Sequence, residues 1–587
     1  MKIQDIGEII EEFRKKIQEK IIKNNIPGLA IAVLNKNENL WLEGFGYTDR
    51  TKKQVVNEDT LFGLQSTTKT YTAIAFLIAM QKRLVKLDDP IIKYYPKFYV
   101  KSRHDQEEYK KITFRHLLNH TSGLVREAAI GGCFSRRLGT WKEHIKSLNE
   151  TWLSFPVGTK FSYSNIGMDL VTFILEKIVG KPYHIFIQEV LGNPLGITIH
   201  WFLDDIYGQP NAVIGHLGED IAHKLDEMAF GCGGIFISIK DQATFVRFLL
   251  NRGKIDGKVI LREEIFELLY DIEGETGYGL GTEISSKYGI KFYSHAGGGF
   301  GLASEMYWLP KQDLGVALLH NEEYNFDQIR EFFWEIMNKL LEAKGIATQL
   351  EKFPYTDESI ISLKEEKLKR LEGTYQNIEA VYKIKIIDGK LNMITSRENS
   401  ELIPHSEIAF SIKPKTGIIF HLNKQSEPIG NTQYHSKFGI LTNKYLGKLI
   451  IELPQVNEEW KKFVGLYFLK FYYTEYNFVA ITIDKDGYLH YENNILYPHN
   501  ELPNVFFTEF GTAVVFEEEA FRTNNILHTR VNNPVEFCEK LLESEPNHKA
   551  LLNWGIETVI NLLKKLNKKS ETAKINELLQ FKKKQKK

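Results

Sequence analysis

The stretch from Thr70 to Met80 constrains this chain more than any other, because its residues are apolar or small on every side. No face of such a segment suits water, so it belongs inside a packed domain, as a helix buried all round or as a long strand. Alanine at positions 73, 75 and 79 favours the helix. The run is about half as long as the ~20 apolar residues of a membrane span. The chain must therefore wrap other elements around it on all sides.

Ser66-Thr67-Thr68-Lys69 leads directly into this run, after Phe62-Gly63-Leu64-Gln65. A three-residue offset places the serine and lysine side chains on one face of a first helical turn, where they can share a proton. A serine hydroxyl is a weak nucleophile until a base takes its proton, and an amine in apolar surroundings at a helix start suits that task. Unpaired backbone N–H groups at the same helix end favour a developing oxyanion. By itself the offset is a weak signal, since a helix cap beside a surface lysine gives the same match. The apolar run weighs against that alternative, because it would bury the charge of Lys69 with no structural reason.

Two further segments carry polar chemistry. In Lys160-Phe161-Ser162-Tyr163-Ser164-Asn165-Ile166-Gly167 a phenol and an amide flank one residue before a helical pattern. Tyr163 can move the Ser66 proton and Asn165 can hold a substrate amide or carbonyl, although a buried tyrosine beside a capping asparagine reads the same way. In His295-Ala296-Gly297-Gly298-Gly299, at the end of a strand pattern, glycines admit a substrate backbone, or simply make a flexible turn. His116 and His120 are four apart on a helical pattern, a zinc-like spacing, but no glutamate follows His116 and no third ligand is evident, so no metal is assigned.

Together, in this order and at these separations, the three segments resemble the penicillin-recognising serine enzymes: class C β-lactamases, penicillin-binding proteins, D-aminopeptidases and related esterases. The resemblance covers about residues 6–345 and extends to Leu87-Asp88-Asp89-Pro90, to the stretch from Ile112 through His120-Thr121-Ser122-Gly123 to Leu124, and to Gly231-Cys232-Gly233-Gly234-Ile235-Phe236. It implies a β-lactamase/transpeptidase-like fold, an antiparallel sheet flanked by helices plus a helical subdomain. It also implies Ser66 as acylated nucleophile, Lys69 and Tyr163 as the proton-handling pair, and Asn165, His295, Gly297 and Gly298 around the substrate, with the oxyanion held by the N–H groups of Ser66 and Gly298. True β-lactamases often carry Lys-Thr-Gly where this chain has His295-Ala296-Gly297. A fixed cation for a β-lactam carboxylate is thereby lost, so an esterase or peptidase is expected ahead of a β-lactamase. A β-lactamase or penicillin-binding activity is one alternative, and a catalytically idle ligand-binding or scaffold relative another. The expected substrate is a small molecule or peptide, and the chemistry requires no cofactor.

The rest of the chain shapes the domain plan. A length of 587 residues exceeds one core. An amphipathic helix over residues 6–22 precedes a hairpin at Leu29–Leu34 and Leu40–Phe45, and strands return at 291–295, 302–309 and 315–320 before a closing helix over 325–341. Residues 1–345 form the expected hydrolase domain and 346–365 a linker. Residues 366–530 read as short alternating strands, a barrel-like, lipocalin-like region. Leu371-Glu372-Gly373-Thr374-Tyr375 and Phe463-Val464-Gly465-Leu466-Tyr467 open similar patterns, which predicts two repeated units unless the likeness is chance between Asp-Gly hairpins. Residues 534–587 read as a helical tail with a basic end.

Seventy-five basic residues balance seventy-five acidic ones, so no net field recruits nucleic acid or an anionic membrane. Three scattered cysteines, Cys133, Cys232 and Cys538, argue against a disulfide framework, and charges at Glu8, Glu11, Glu12, Arg14 and Lys15 interrupt what a secretory signal needs. A cytoplasmic protein is expected.

Overall fold

The computed structural model describes residues 3–132, 139–201, 206–222, 230–271, 277–323, 326–349, 353–356, 359–376, 381–395, 399–413, 416–435, 439–448, 453–470, 476–492, 494–508, 511–523, 526–544 and 555–585. Residues Thr68–Gln81 form the expected helix, with every side chain from Thr68 to Ala79 buried. Its lid is an antiparallel sheet in the order Glu283–Lys287, Ile290–Gly299, Leu302–Leu309, Leu314–His320, Gly28–Leu34 and Asn39–Gly46. Strand Gly28–Leu34 is buried at all seven positions, as an almost unbroken apolar sequence requires when both faces are covered. Ala30, Ala32 and Leu34 face the core that holds the buried helix. Leu29, Ile31 and Val33 face a second core, built by helices Ile3–Lys23 and Phe326–Ala343, where the rings of Phe13 and Phe332 lie 5.6 Å apart.

After this domain come two β units with one connectivity. In the first, nine strands from Gly373–Gln376 to Gly439–Gly447 pair antiparallel with their chain neighbours except between Asn399–Glu401 and Ile403–Pro404, and the last returns to the first through Tyr375 and Tyr445. One residue pair, Ser286 with Ile440, joins it to the hydrolase sheet. The second unit, from Gly465–Lys470 to Ile526–Arg530, is a closed eight-stranded barrel in which Tyr467 pairs with Arg530. At the same place in each unit a tyrosine hydroxyl donates to the carbonyl four residues back: Tyr375 to Leu371 at 2.9 Å and Tyr467 to Phe463 at 2.8 Å. Helices Pro534–Ser544, Ile556–Lys565 and Lys569–Gln585 follow, and Cys538, Leu542, Ile556 and Val559 share a core with Leu466 and Phe478 of the barrel. The tail therefore caps barrel strands.

Both β units touch the hydrolase domain beside the Tyr163 segment. Gln376 grips the backbone of Phe161 reciprocally, its amide oxygen accepting the Phe161 N–H at 3.1 Å while its amide nitrogen donates to the Phe161 carbonyl. Trp152 packs with Val505, Phe507 and Ala513 of the barrel. Cys232 and Cys538 are buried free thiols, and Cys133 lies outside the described residues. No helix of the described residues is long and apolar enough to cross a membrane.

Burial also sets the acid response of the fold. The interior holds His320 and His528 at about 4 and His295 at about 3, each displaced first by loss of hydration. An unfolded chain protonates these rings near pH 6.5 while the folded chain does not, so stability falls as pH drops from 6.5 towards 4, by about 1.4 kcal/mol per pH unit for each ring. Thermal melts between pH 7.5 and 4.5 are expected to show a monotonic fall in Tm, and a flat profile would contradict these assignments.

Candidate active site

Ser66 sits in a single 3-10 turn, Gln65–Thr67, that runs straight into the buried helix. Three contacts fix this turn. Leu64 donates its N–H to the Ile235 carbonyl at 2.8 Å, Thr67 donates its hydroxyl to Ser304 at 2.8 Å, and Ser304 donates its own to the Leu64 carbonyl at 2.6 Å. Gln65, immediately before the serine, is held at φ +49, a left-handed conformation that costs about 1–2 kcal/mol for a residue with a Cβ. A Cβ at position 297 would lie 2.1 Å from the Leu64 carbonyl oxygen and 2.8 Å from the Ser66 nitrogen, so only glycine lets strand Ile290–Gly299 lie against the serine turn. At Gly298 a Cβ would meet nothing within 4 Å. Strand Glu283–Lys287 stops at the pair Glu283 with Ser294, so residues 295–299 keep one edge without a neighbouring strand among the described residues.

Lys69 is fully buried, and its ammonium donates to Ser66 Oγ at 3.1 Å and to the Cys232 carbonyl at 2.8 Å. Its nitrogen lies 4.7 Å from the ring centroid of Tyr163. The serine, the lysine and the phenol are thus brought together, with Tyr163 meeting the amine through its ring; among the described residues no hydrogen bond joins its hydroxyl to Ser66 or Lys69. Asn165 opens helix Asn165–Val179, donates its side-chain amide to the buried carboxylate of Glu127, and keeps a buried Oδ1 without a partner among the described residues.

His295 points inward. Its Nδ1 donates to the Ala296 carbonyl at 2.8 Å, which leaves Nε2 to accept from the Tyr278 hydroxyl at 2.8 Å. Burial and the nearby Lys69 charge push this ring down to about 3. With both nitrogens hydrogen-bonded inside the protein, the His295 ring braces Tyr278 in this structure. His116 and His120 do not share a helix face. The helix is only Phe114–Leu118, with His116 Nδ1 accepting the Thr113 N–H at its start, and His120 lies beyond it at φ +60. His120 instead brackets Tyr163: its carbonyl accepts the Ser162 N–H at 2.8 Å, its Nδ1 accepts the Ser164 N–H at 3.2 Å, and its ring stands 4.4 Å from that of Tyr163. Among the described residues no group of His, Cys, Asp and Glu is arranged to hold a metal ion.

Sequence reasoning missed the support beneath the lysine. Asp169, buried on helix Asn165–Val179, accepts the N–H groups of Gly231 and Cys232 at 2.8 and 3.1 Å, and so aims the Cys232 carbonyl at Lys69. A carboxylate among Met168, Leu170 and Val171 was the available signal, since burying a charge is costly unless it is paired.

A helix sealed by an antiparallel sheet, with a serine and lysine joined at its start, defines a β-lactamase/transpeptidase-like fold. The family described as Beta-lactamase matches residues 13–334, more than half of the chain. The chain belongs to that family, as the sequence resemblance implies. It is 24% identical over 380 residues to a protein named Beta-lactamase from Escherichia coli strain K12, covering 57% of this chain and 94% of that one. It is also 24% identical over 313 residues to Protein flp of Staphylococcus aureus strain COL, covering 52% of this chain but 61% of that relative, less than two thirds of its length. The crystal structure of SurE aligns with a TM-score of 0.52 at 20% identity, over 75% of this chain and 99% of that one, which shows a shared fold.

Asp169→Ala leaves two buried N–H groups without an acceptor, a loss of about 2–5 kcal/mol. Besides a lower Tm, turnover is expected to drop about tenfold or more as the Cys232 carbonyl drifts from Lys69; a variant that melts early yet keeps full kcat would show that Asp169 supports the fold alone.

Proposed function

We propose that the protein is a serine hydrolase that forms an acyl-enzyme on Ser66 and cleaves small esters or peptide-like amides. The observation that supports this reading is the 3.1 Å hydrogen bond between Ser66 and the fully buried Lys69 side chain. In its neutral amine form Lys69 takes the hydroxyl proton, becoming an ammonium, as Ser66 Oγ attacks the acyl carbon. The carbonyl oxygen gains the negative charge and is met by the N–H groups of Ser66 and Gly298. The Tyr163 phenol gives its proton to the leaving group and takes one back from the Lys69 ammonium, its hydroxyl coming within hydrogen-bond reach when substrate binds. Water then releases the acyl group by the reverse relay.

Amides are favoured among the substrates. The buried, partnerless Oδ1 of Asn165 is satisfied by a substrate N–H, and the unpaired backbone edge at 295–299 suits a substrate that adds as an extended strand. A β-lactamase activity is the second reading, supported by the relative of that name. It lacks a cation at position 295, where the ring is buried and neutral. The β units limit substrate size in this proposal, since Gln376 holds the backbone two residues from Tyr163.

Incubation with a fluorophosphonate or a fluorescent penicillin, read by intact mass, is expected to add one adduct to the wild type and none to Ser66→Ala, with Lys69→Met slowing adduct formation about 100-fold or more. An unlabelled wild type would favour the binding reading. For the β units, Gln376→Ala is expected to raise kcat/KM for bulky relative to small p-nitrophenyl esters severalfold, and an unchanged ratio would remove the size limit.

A further inference from the structure

We propose that the seam between the hydrolase domain and the closed barrel is a second binding site, and that it takes a small zwitterion with an apolar body, the chemistry of a free apolar α-amino acid. This goes beyond the acyl-transfer reading and does not depend on it.

Hydrolase and barrel do not meet flush. Beside the contact of Trp152 with the barrel lies a cleft of about 290 Å³, at the lower end of the range for small-molecule sites. Val125 and Trp152 line it from one side, and Val505, Ala513 and Val515 from the other. Hydrogen bonds fix its frame. Lys101 donates its N–H to the Thr151 carbonyl at 3.0 Å and accepts the Leu153 N–H at 2.8 Å, which straps the segment carrying Glu150 and Trp152 to it. On the barrel side the backbone comes so close that a Cβ on Gly511, at φ +91, would lie 1.7 Å from the Ser154 carbonyl oxygen. The Val125 carbonyl accepts the Ser164 hydroxyl at 2.7 Å, so the cleft backs onto the segment that carries Tyr163.

Four charged side chains border these apolar walls. Arg522 and Glu517, both from the barrel, satisfy each other at 2.6 Å. That leaves Lys101 and Glu150, one of each sign, and among the described residues neither has an ion-pair partner. Lys101 Nζ stands 5.7 Å from the ring centroid of Trp152, so the open cation sits beside the largest apolar surface of the cleft. A lone carboxylate drawn to Lys101 leaves Glu150 unanswered, and a lone amine drawn to Glu150 leaves Lys101 so. A ligand that carries both charges on one carbon pairs each with its opposite, while its side chain covers Trp152 and the barrel valines.

Titration calorimetry on the full chain compares norleucine with hexanoate, which lacks the amine, and with pentylamine, which lacks the carboxylate. Norleucine is expected to bind saturably below about 5 mM and about tenfold or more tightly than either analogue. Glu150→Gln should erase its advantage over hexanoate, and Lys101→Met its advantage over pentylamine. Side chains with a merely structural role would weaken all three probes alike. Ala513→Leu, which fills the cleft from the barrel wall, should abolish norleucine binding without touching either charge, and unliganded melting curves show that each variant folds. No saturable norleucine binding, equal binding of hexanoate or pentylamine by the wild type, or a preference that both charge variants keep overturns the proposal. Fluorophosphonate labelling of the same samples separates the two readings. Adduct without norleucine binding sinks the seam site alone, and norleucine binding without adduct sinks the acyl-transfer reading alone.

Discussion

The structure depends on one hydrogen bond in an unfavourable place: an amine at the start of an apolar helix, 3.1 Å from a serine hydroxyl and shut off from water. A buried ammonium is costly unless its protons are taken, and here the Cys232 carbonyl takes a second one at 2.8 Å. That carbonyl is in turn aimed by the Asp169 carboxylate through two backbone N–H groups. Helix Asn165–Val179 therefore contributes at both ends of the problem. Its first residue, Asn165, donates to the buried Glu127 carboxylate beside Tyr163, and its fifth, Asp169, steadies the carbonyl that holds the lysine.

Much of this was legible because periodicity and apolar content report burial directly. The run over 70–80, the strands at 28–34 and 302–309 and the closing helix all follow from which faces must avoid water, and the structure places them within a few residues of expectation. What stayed hidden depends on direction rather than on pattern. Nothing local says that His295 turns inward to Tyr278, or that the helix carrying His116 ends at Leu118 and leaves His120 beyond its reach. Gln65 is a similar case, since its left-handed backbone is imposed by the strands around it and no turn residue announces it. Asp169 was visible as an oddity in an apolar helix, but the N–H groups it accepts lie more than sixty residues away.

The two β units show the same limit from the other side. Their shared plan rests on a tyrosine that donates to the carbonyl four residues earlier, and both segments carry a Gly-x-Tyr in the sequence. Closure of the second unit requires Tyr467 to meet Arg530, a pairing across sixty-odd residues that alternation alone does not specify. Where the units dock is decided by single side chains such as Gln376 and Trp152.

These docking points fall on the stretch that leads to Tyr163, and that choice has a physical consequence. Phe161 is gripped by Gln376, Ser162 and Ser164 by His120, and Asn165 by Arg126 and Glu127, so the residues around the phenol are all held by other parts of the chain. The ring held in this way lies 4.7 Å from the nitrogen of Lys69, which is fully buried beside the serine, and 5.2 Å from the guanidinium carbon of Arg126, whose side chain is 49% exposed. Anchoring the segment on both sides therefore sets where the phenol stands against the buried amine.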